Sequence, residues 1–408
     1  MLVYVINRDG HPLTPCSSGK ARLLLKQGKA RVISRTPFTI KLLFGSSGYK
    51  QEVIAGMDTG SKVVGCACIA NGKVVYQSEV QIRQDVSKKM QRRKMYRRTR
   101  RSRKTRYRKP RWQNRANSRK TGRLAPSIRS KVNSHLREKR FVESILPVSK
   151  WKVETASFDI HRISNPEVIN YQDGRQKGFY NVKAYVLHRD GYKCQECKKG
   201  NRKLNVHHII FKSQNGTDSP DNLITLCASC HDKLHKGKFK IKGKKPKTKH
   251  ATEIGIIKSQ LKKVWKFEET FGYETKYKRE QILNLPKTHF YDAVSICCEE
   301  GEFINLNDIV YHKKHVSSGD YRQTKGGKSK IRIPTGKLFG LRKFDLIKTD
   351  KGIGFVKGKR STGFFVLSDL KGKIINPSLN IKNRHIRLNA RTTTLTERRR
   401  NMDLHELV

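Results

Sequence analysis

Acidic residues are scarce in this chain. Asp and Glu number 33 against 90 Lys and Arg in 408 residues, a formal net charge of +57. So large an excess repels itself, and a compact body carrying it needs a polyanion beside it. Nucleic acid is the natural partner, and a long one, because each neutralised phosphate releases counterion. Long apolar runs are missing too. No segment approaches the roughly 18–20 residues of a membrane span, and no basic amphipathic anchor stands out. The opening MLVYVINRDG shows no apolar stretch of the signal-peptide kind. Cysteine is sparse, at nine residues. Four stand in a metal-type pattern, and Cys16, Cys66, Cys68, Cys297 and Cys298 are scattered. That usage fits a reducing interior better than a disulfide framework. A cytoplasmic, prokaryotic protein, nucleoid-associated when on its target, is the expectation. Hydrophobic residues make up only 35%, which predicts modest cores separated by basic elements. No internal repeat is present.

What is there reads as an α/β chain of several domains. Residues 1–50 alternate short apolar runs with turns, and Lys20–Gly28 reads as a helix with a glycine stop. Val53–Asp58, Lys62–Ala70 and Lys73–Gln81 read as strands, the last two joined by an Asn71-Gly72 hairpin turn. Residues 131–147 read as an amphipathic helix ended by Pro147, and Lys150–Ala156 as a strand. Lys236–His250 reads as a basic linker, 253–270 as a helix, Gly272–Lys278 as a strand and His289–Cys298 as a helix. Residues 302–408 are rich in Gly and Lys with short β-like runs, which predicts a small β-rich module.

Between 88 and 120 the composition changes abruptly: 18 of 33 residues are Lys or Arg and none is acidic. Alone in water such a segment repels itself, but in a phosphate groove it can form a continuous helix. The candidate nucleic-acid contacts are Arg92, Arg93, Lys94, Arg97, Arg98, Arg100, Arg101, Arg103, Arg106, Arg108 and Arg111. Tyr96, Tyr107 and Trp112 are interleaved and can stack on bases.

Cys194-x-x-Cys197 and Cys227-x-x-Cys230 bracket a His207-His208 pair and run into His231-x-x-x-His235. Four thiolates at that spacing can hold a zinc ion tetrahedrally, and the histidines exceed what one structural metal needs. His231 and His235 are four apart on a helix, so their rings can share a second metal, with His207 as third ligand. His208 points to the other side of its strand and suits a general base. Asn222 can bond backbone across the loop and fix the ring of His208.

Three carboxylates stand in apolar runs where an unpaired charge is costly: Asp58, Glu154 and Asp292. His289 lies one helical turn before Asp292. If the three converge at a sheet rim, they can hold two divalent ions, with Mg²⁺ preferring such oxygen ligands. His289 can then assist an attacking water.

The cysteine–histidine stretch resembles an HNH nuclease module of the ββα-metal kind. That resemblance implies His208 as base, with His207, His231 and His235 as Mg²⁺ ligands. The carboxylate set is similar to a RuvC-type, RNase H-like nuclease split into three pieces. The order of parts resembles the IscB family of transposon-encoded RNA-guided nucleases, relatives of the HNH/RuvC CRISPR effectors. Pro12-Leu13-Thr14-Pro15 is similar to that family's PLMP motif. The resemblance implies a PLMP-like domain at 1–50, RuvC-I at 51–84, an arginine-rich bridge helix at 85–122 and RuvC-II at 123–185. HNH with its zinc cysteines follows at 186–245, RuvC-III at 246–303, and a domain contacting a target-adjacent motif at 304–408. It further implies a structured, omega-type guide RNA and a double-stranded DNA target. HNH would cut the guide-paired strand and RuvC the displaced strand, in a ribonucleoprotein holding one copy of the chain. Two alternatives stay open: a protein-guided HNH homing-type endonuclease or nickase, and a catalytically inert RNA-binding protein.

Overall fold

The structure, a computed structural model, describes residues 2–45, 50–101, 123–155, 182–211, 220–239, 241, 248–299, 304–317, 340–360 and 362–400, without the side chains of 100–101 and 248–252. The chain divides into two compact units, Met1–Ala156 with Ile256–Val408, and Ser157–Gly255.

The first unit opens with β1 (Leu2–Ile6), β2 (Pro12–Ser17), α1 (Ser18–Lys26), β3 (Ala30–Arg35) and β4 (Phe38–Leu42), a sheet ordered β2-β1-β4-β3. Ser17 caps α1 by accepting from the Lys20 amide at 3.3 Å. Val3, Val5, Leu13, Ala21, Ile40 and Leu42 form its core.

A seven-stranded mixed sheet is the main body. It begins with β5 (Ile54–Asp58), β6 (Val63–Ala70) and β7 (Lys73–Gln81), joined as antiparallel neighbours. Asn71 and Gly72 both have positive φ, 47° and 66°, as a tight hairpin turn requires. Next come α2 (Val86–Arg101), α3 (Pro126–Glu143) and β8 (Lys150–Glu154). Proline at the first turn moves the start of α3 ahead of the expected 131.

Between β8 and the rest lies the second unit. It holds α4 (Val182–Arg189), β9 (Leu204–His208), β10 (Leu223–Cys227) and α5 (Ala228–His235). β9 and β10 pair antiparallel. Arg189 ties α4 to this hairpin through the carbonyls of Pro220 (2.7 Å) and Leu223 (2.9 Å).

The chain returns with α6 (Thr248–Val264), β11 (Glu268–Thr270), α7 (Gly272–Tyr277), a π turn (Lys278–Ile282) and α8 (His289–Cys297). The strand expected at Gly272–Lys278 is thus helical, and the helix expected over 253–270 stops at Val264. Its last residues pair with β8 as β11. The basic stretch ending at His250 already contains the start of α6. After β12 (Ile309–His315), a separate sheet holds β13 (Leu346–Thr349), β14 (Gly352–Lys359), β15 (Phe364–Ser368), β16 (Ile374–Asn380) and β17 (His385–Asn389), ordered β16-β15-β14-β13-β17. β18 (Thr394–Arg400) then closes the main sheet, whose order is β11-β8-β5-β6-β7-β12-β18. The β-rich segment expected from 304 onward therefore gives its first and last strands to the main sheet.

Side-chain alternation decides what covers each face of that sheet. Ala55, Met57, Cys66 and Cys68 pack with Ile128, Val132 and Val142 of α3 and Ile257 and Leu261 of α6. Ala67, Ile69 and Val74 pack with Ala293, Val294 and Cys297 of α8. α8 lies so close that a Cβ at Gly65 would sit 1.8 Å from the His289 carbonyl oxygen. Only glycine fits there, and this close approach brings the first turn of α8 onto the ends of β5 and β6.

The α3 face also encloses a charge pair. Lys313 Nζ donates to Glu138 Oε1 and Oε2 at 2.8 and 3.0 Å and to the Tyr76 hydroxyl at 2.6 Å. Glu138 Oε1 also accepts from Tyr76 (2.6 Å) and Ser78 (2.8 Å). Lys313 lies 3.5 Å from the Phe141 ring centroid. Burial alone would raise the Glu138 carboxyl, but Lys313 and the two hydroxyls hold it below its ordinary value.

Two imidazoles are buried nearby. His135 and His315 are both pushed down to about 4, first by burial and then by neighbouring cations. The unfolded chain takes up protons below pH 6.5 that the folded rings refuse until about pH 4. Stability is therefore full above pH 6.5 and falls on acidification, by about 2 kcal/mol per ring at pH 5. Denaturant midpoints at pH 7 and pH 5 check this: a flat profile would show that the rings are solvated.

Candidate functional site

The second unit builds two clusters from one hairpin and one helix. Cys194 and Cys197 lie in the turn after α4, Cys227 ends β10, and Cys230 opens α5. The ligand atoms of all four lie within 4.8 Å of one another, and Cys197 and Cys227 sulfurs are 3.8 Å apart. The S···S edge of a tetrahedron with bonds of about 2.3 Å is also about 3.8 Å, so the set fits a four-thiolate metal site. Burial would raise Cys194, but backbone amides bring it down to about 7. Cys230 is pushed up to about 12 by burial and its neighbouring thiols. A divalent cation relieves that crowding.

On the other side of the helix start, His207, His231 and His235 converge. Their ligand nitrogens lie within 4.8 Å of one another, and their ring centroids are 4.5–5.1 Å apart. Burial and the other two rings push His207 down to about 4, which leaves it neutral with a free lone pair, the form a metal needs. His207 is 5% exposed, whereas His208, the next residue on the strand, is half-buried. Strand alternation turns His208 to the opposite face. Asn222, 1% exposed, clamps the loop after β9. Its Oδ1 accepts from the Ile210 amide at 2.9 Å and its Nδ2 donates to the Ile210 carbonyl at 3.0 Å. Its own carbonyl accepts from the Ile209 amide at 2.8 Å.

The first unit gathers a third cluster. Asp58 ends β5 and Glu154 ends β8, opposite each other in parallel register. His289 Nδ1 and Asp58 Oδ2 are 2.6 Å apart. Ligand atoms of Asp58, His289 and Asp292 fall within 4.8 Å. Glu154 lies outside that tight set but senses it. Burial, then the charge of Asp58, push its carboxyl up to about 7. Asp58 is also raised, by burial, against the pull of His289. The bond to Asp58 raises His289. Carboxylates crowded and desolvated in this way fit divalent cations.

Arg279, Thr59 and Thr275 belong to this cluster and were not anticipated. Arg279, 4% exposed, donates to Asp292 Oδ1 and, at 2.6 Å, to Glu280 Oε1. The Thr59 hydroxyl donates to the Glu154 carbonyl at 2.7 Å, and Thr275 bonds the Glu154 side chain. Arg279 lies in an ordinary-looking polar run, Lys278-Arg279-Glu280-Gln281, and only the π turn shows that it points inward.

α2 carries Arg92, Arg93, Lys94, Arg97 and Arg98 exposed, with Tyr96 half-buried. Asp85 anchors its start through Lys89 at 2.6 Å. The side chains of Arg100 and Arg101 lie outside the described residues, as do Arg103, Arg106, Tyr107, Arg108, Arg111 and Trp112.

Residues 194–237, which hold both clusters of the second unit, match the HNH endonuclease family. A probable HNH endonuclease of Lactococcus phage SK1 is 36% identical over 77 residues, 16% of this chain and 82% of the phage protein. The chain belongs to the HNH endonucleases. Anaredoxin of Nostoc sp. is 45% identical over 56 residues, 14% of this chain and 74% of that protein. The type IV methyl-directed restriction enzyme EcoKMcrA of Escherichia coli K12 is 40% identical over 65 residues, 14% of this chain and 24% of that enzyme. Residues 3–176 match the family described as RRXRR protein. This HNH endonuclease thus has the make-up of an IscB-like protein, an RRXRR domain followed by HNH. It is a DNA endonuclease, and HNH domains are metal-dependent. No helix among the described residues is long and apolar enough to cross a membrane.

Proposed function

We propose that this HNH endonuclease is guided by a structured RNA and cuts the two strands of a DNA duplex at two separate centres. One observation carries the reading. Asp58 at the end of β5 and His289 and Asp292 on α8, separated in sequence by the HNH unit, share one cluster with Glu154 alongside. A chain with only an HNH site has no need of it. The strand order and the helix on the carboxylate face support a split RuvC-type, RNase H-like fold. Its pieces are 51–84, 123–185 and 246–303, with 85–122 as bridge helix, 186–245 as HNH, 1–50 as PLMP-like domain and 304–408 as the contact to a target-adjacent motif. The charge of +57 exceeds what two nuclease sites need and supports a bound guide RNA.

At the HNH site His207, His231 and His235 would hold the metal, while His208 takes the proton of the attacking water. Asn222 holds the backbone that follows His208. At the carboxylate site Asp58, Glu154 and Asp292 would hold Mg²⁺, and His289, bonded to Asp58, orients the water. Divalent ions at these sites would supply stabilisation of charge on the phosphoryl oxygens and the leaving 3′ oxygen. The four cysteines would hold zinc and fix the start of α5, on which His231 and His235 ride.

The test is strand-resolved cleavage of an end-labelled duplex matched to the RNA that purifies with the protein. Both strands should be cut only with RNA and a divalent ion present. Protein freed of RNA that still cut one defined duplex would overturn RNA guidance and favour a protein-guided enzyme.

A further inference from the structure

Three aromatic rings stand in the open within seven residues: Phe271, Tyr273 and Tyr277, at 41, 71 and 58% exposure. Large apolar rings are costly to leave in water without a use. Two of them are held in place. Phe271 and Tyr273 lie nearly parallel, 9° apart with centroids at 5.9 Å. Glu274 fixes both ends of the pair, since its Oε2 accepts from the Phe271 amide at 3.2 Å and its Oε1 from the Tyr273 hydroxyl at 3.1 Å. Tyr273 therefore shows one face to solvent at a set angle, with Phe271 behind it.

The position of the pair matters as much as its order. Gly272, between the two rings, lies against the carboxylate cluster, where a Cβ would meet Glu154 Oε1 at 3.0 Å. Thr270 pairs with Glu154 in the sheet, and the Thr155 amide donates to the Thr270 carbonyl at 3.0 Å. Cations flank the same edge. The Lys276 side chain is 68% exposed, and exposed Lys287 acts on Asp58. A fixed aromatic face with cations beside it is the arrangement that takes unpaired nucleotides, one ring for the base and charge for the backbone.

We propose that Tyr273, backed by Phe271, is a stacking site for an unpaired base of the DNA strand whose phosphate lies at the carboxylate cluster. This rests on the reading of that cluster as a nuclease centre. Tyr273 is then a positioning residue: it holds the nucleotide next to the scissile one and selects single-stranded over duplex substrate, since a base stacked inside a duplex offers no free face.

The test uses the full-length chain carrying Asp58→Ala and a single-stranded DNA oligonucleotide with one 2-aminopurine, in high salt to suppress phosphate attraction. Binding should quench the probe. Tyr273→Ala should remove most of the quenching and weaken binding about tenfold, and Tyr273→Phe should restore both. A blunt duplex of the same length should bind equally well with and without Tyr273. Quenching unchanged in the Phe271→Ala/Tyr273→Ala double variant overturns the stacking site, as does an equal loss for the duplex. The two readings separate cleanly. If Asp58→Ala leaves cleavage intact while quenching still needs Tyr273, the stacking site stands and the catalytic assignment of the cluster falls.

Discussion

Replacing His208 with alanine should slow cutting of the guide-paired strand by roughly a hundred- to ten-thousand-fold, the usual worth of a positioned general base, and leave the other strand's cut intact. The expectation follows from alternation on one short strand. His207 turns into the three-histidine cluster and is neutral, which suits it to the ligand role proposed above. His208 turns away from that cluster, and its ring is half-buried rather than enclosed. Asp58→Ala should do the converse, because it removes the partner of His289 and the carboxylate opposite Glu154. Separate labels on the two strands read both outcomes in one reaction. Loss of both cuts from either single change, with DNA binding intact, would show one centre instead of two. Asn222→Ala should weaken the first cut less than His208→Ala does, since it frees the Ile210 backbone but leaves the base itself in place.

Lys313→Met should cost about 3–5 kcal/mol of stability, because it strands the Glu138 carboxylate in a dry interior. Both side chains of the pair are 1% exposed, so water cannot take the place of the lost partner. The effect should be strongly non-additive. A Glu138→Leu/Lys313→Met double variant removes both charges and should recover most of the loss, leaving the Tyr76 and Ser78 hydroxyls as the residual cost. Denaturant melts of the two single variants and the double variant close the cycle. Additive losses would mean that the pair is solvated in the folded protein. The consequence is local as well as global, since Glu138 and Lys313 join α3 to β12.

Local signals were legible in the sequence where the physics is local. Asn71-Gly72 announces its turn because few other residues accept positive φ at both positions. The cysteine spacings announce a metal cluster. Gly272–Lys278 misleads for an equally physical reason. Tyr273, Thr275 and Tyr277 alternate as in a strand, but Glu274 reaches back to the Phe271 amide and closes a helical turn. Long-range pairing leaves no local mark. Nothing in Ile309–His315 or Thr394–Arg400 tells that each leaves the neighbouring β-rich segment for the main sheet. Arg279 was invisible for the same reason: its partner, Asp292, lies thirteen residues on across a turn of π geometry. The three clusters themselves were readable as residue types. Their closeness, and the pressure it puts on Glu154, came only from the fold.

The bond from Thr155 to Thr270 has a bearing on how such a chain can be rearranged. It stitches β8 to β11 directly, so among the described residues the sheet takes no strand from 157–255. In sequence, the segment that carries the HNH fold is an insertion between two neighbouring strands of this sheet. Recombination that spares α6, whose Ile257 and Leu261 pack on the sheet, could shorten or exchange it and keep an intact frame around Asp58.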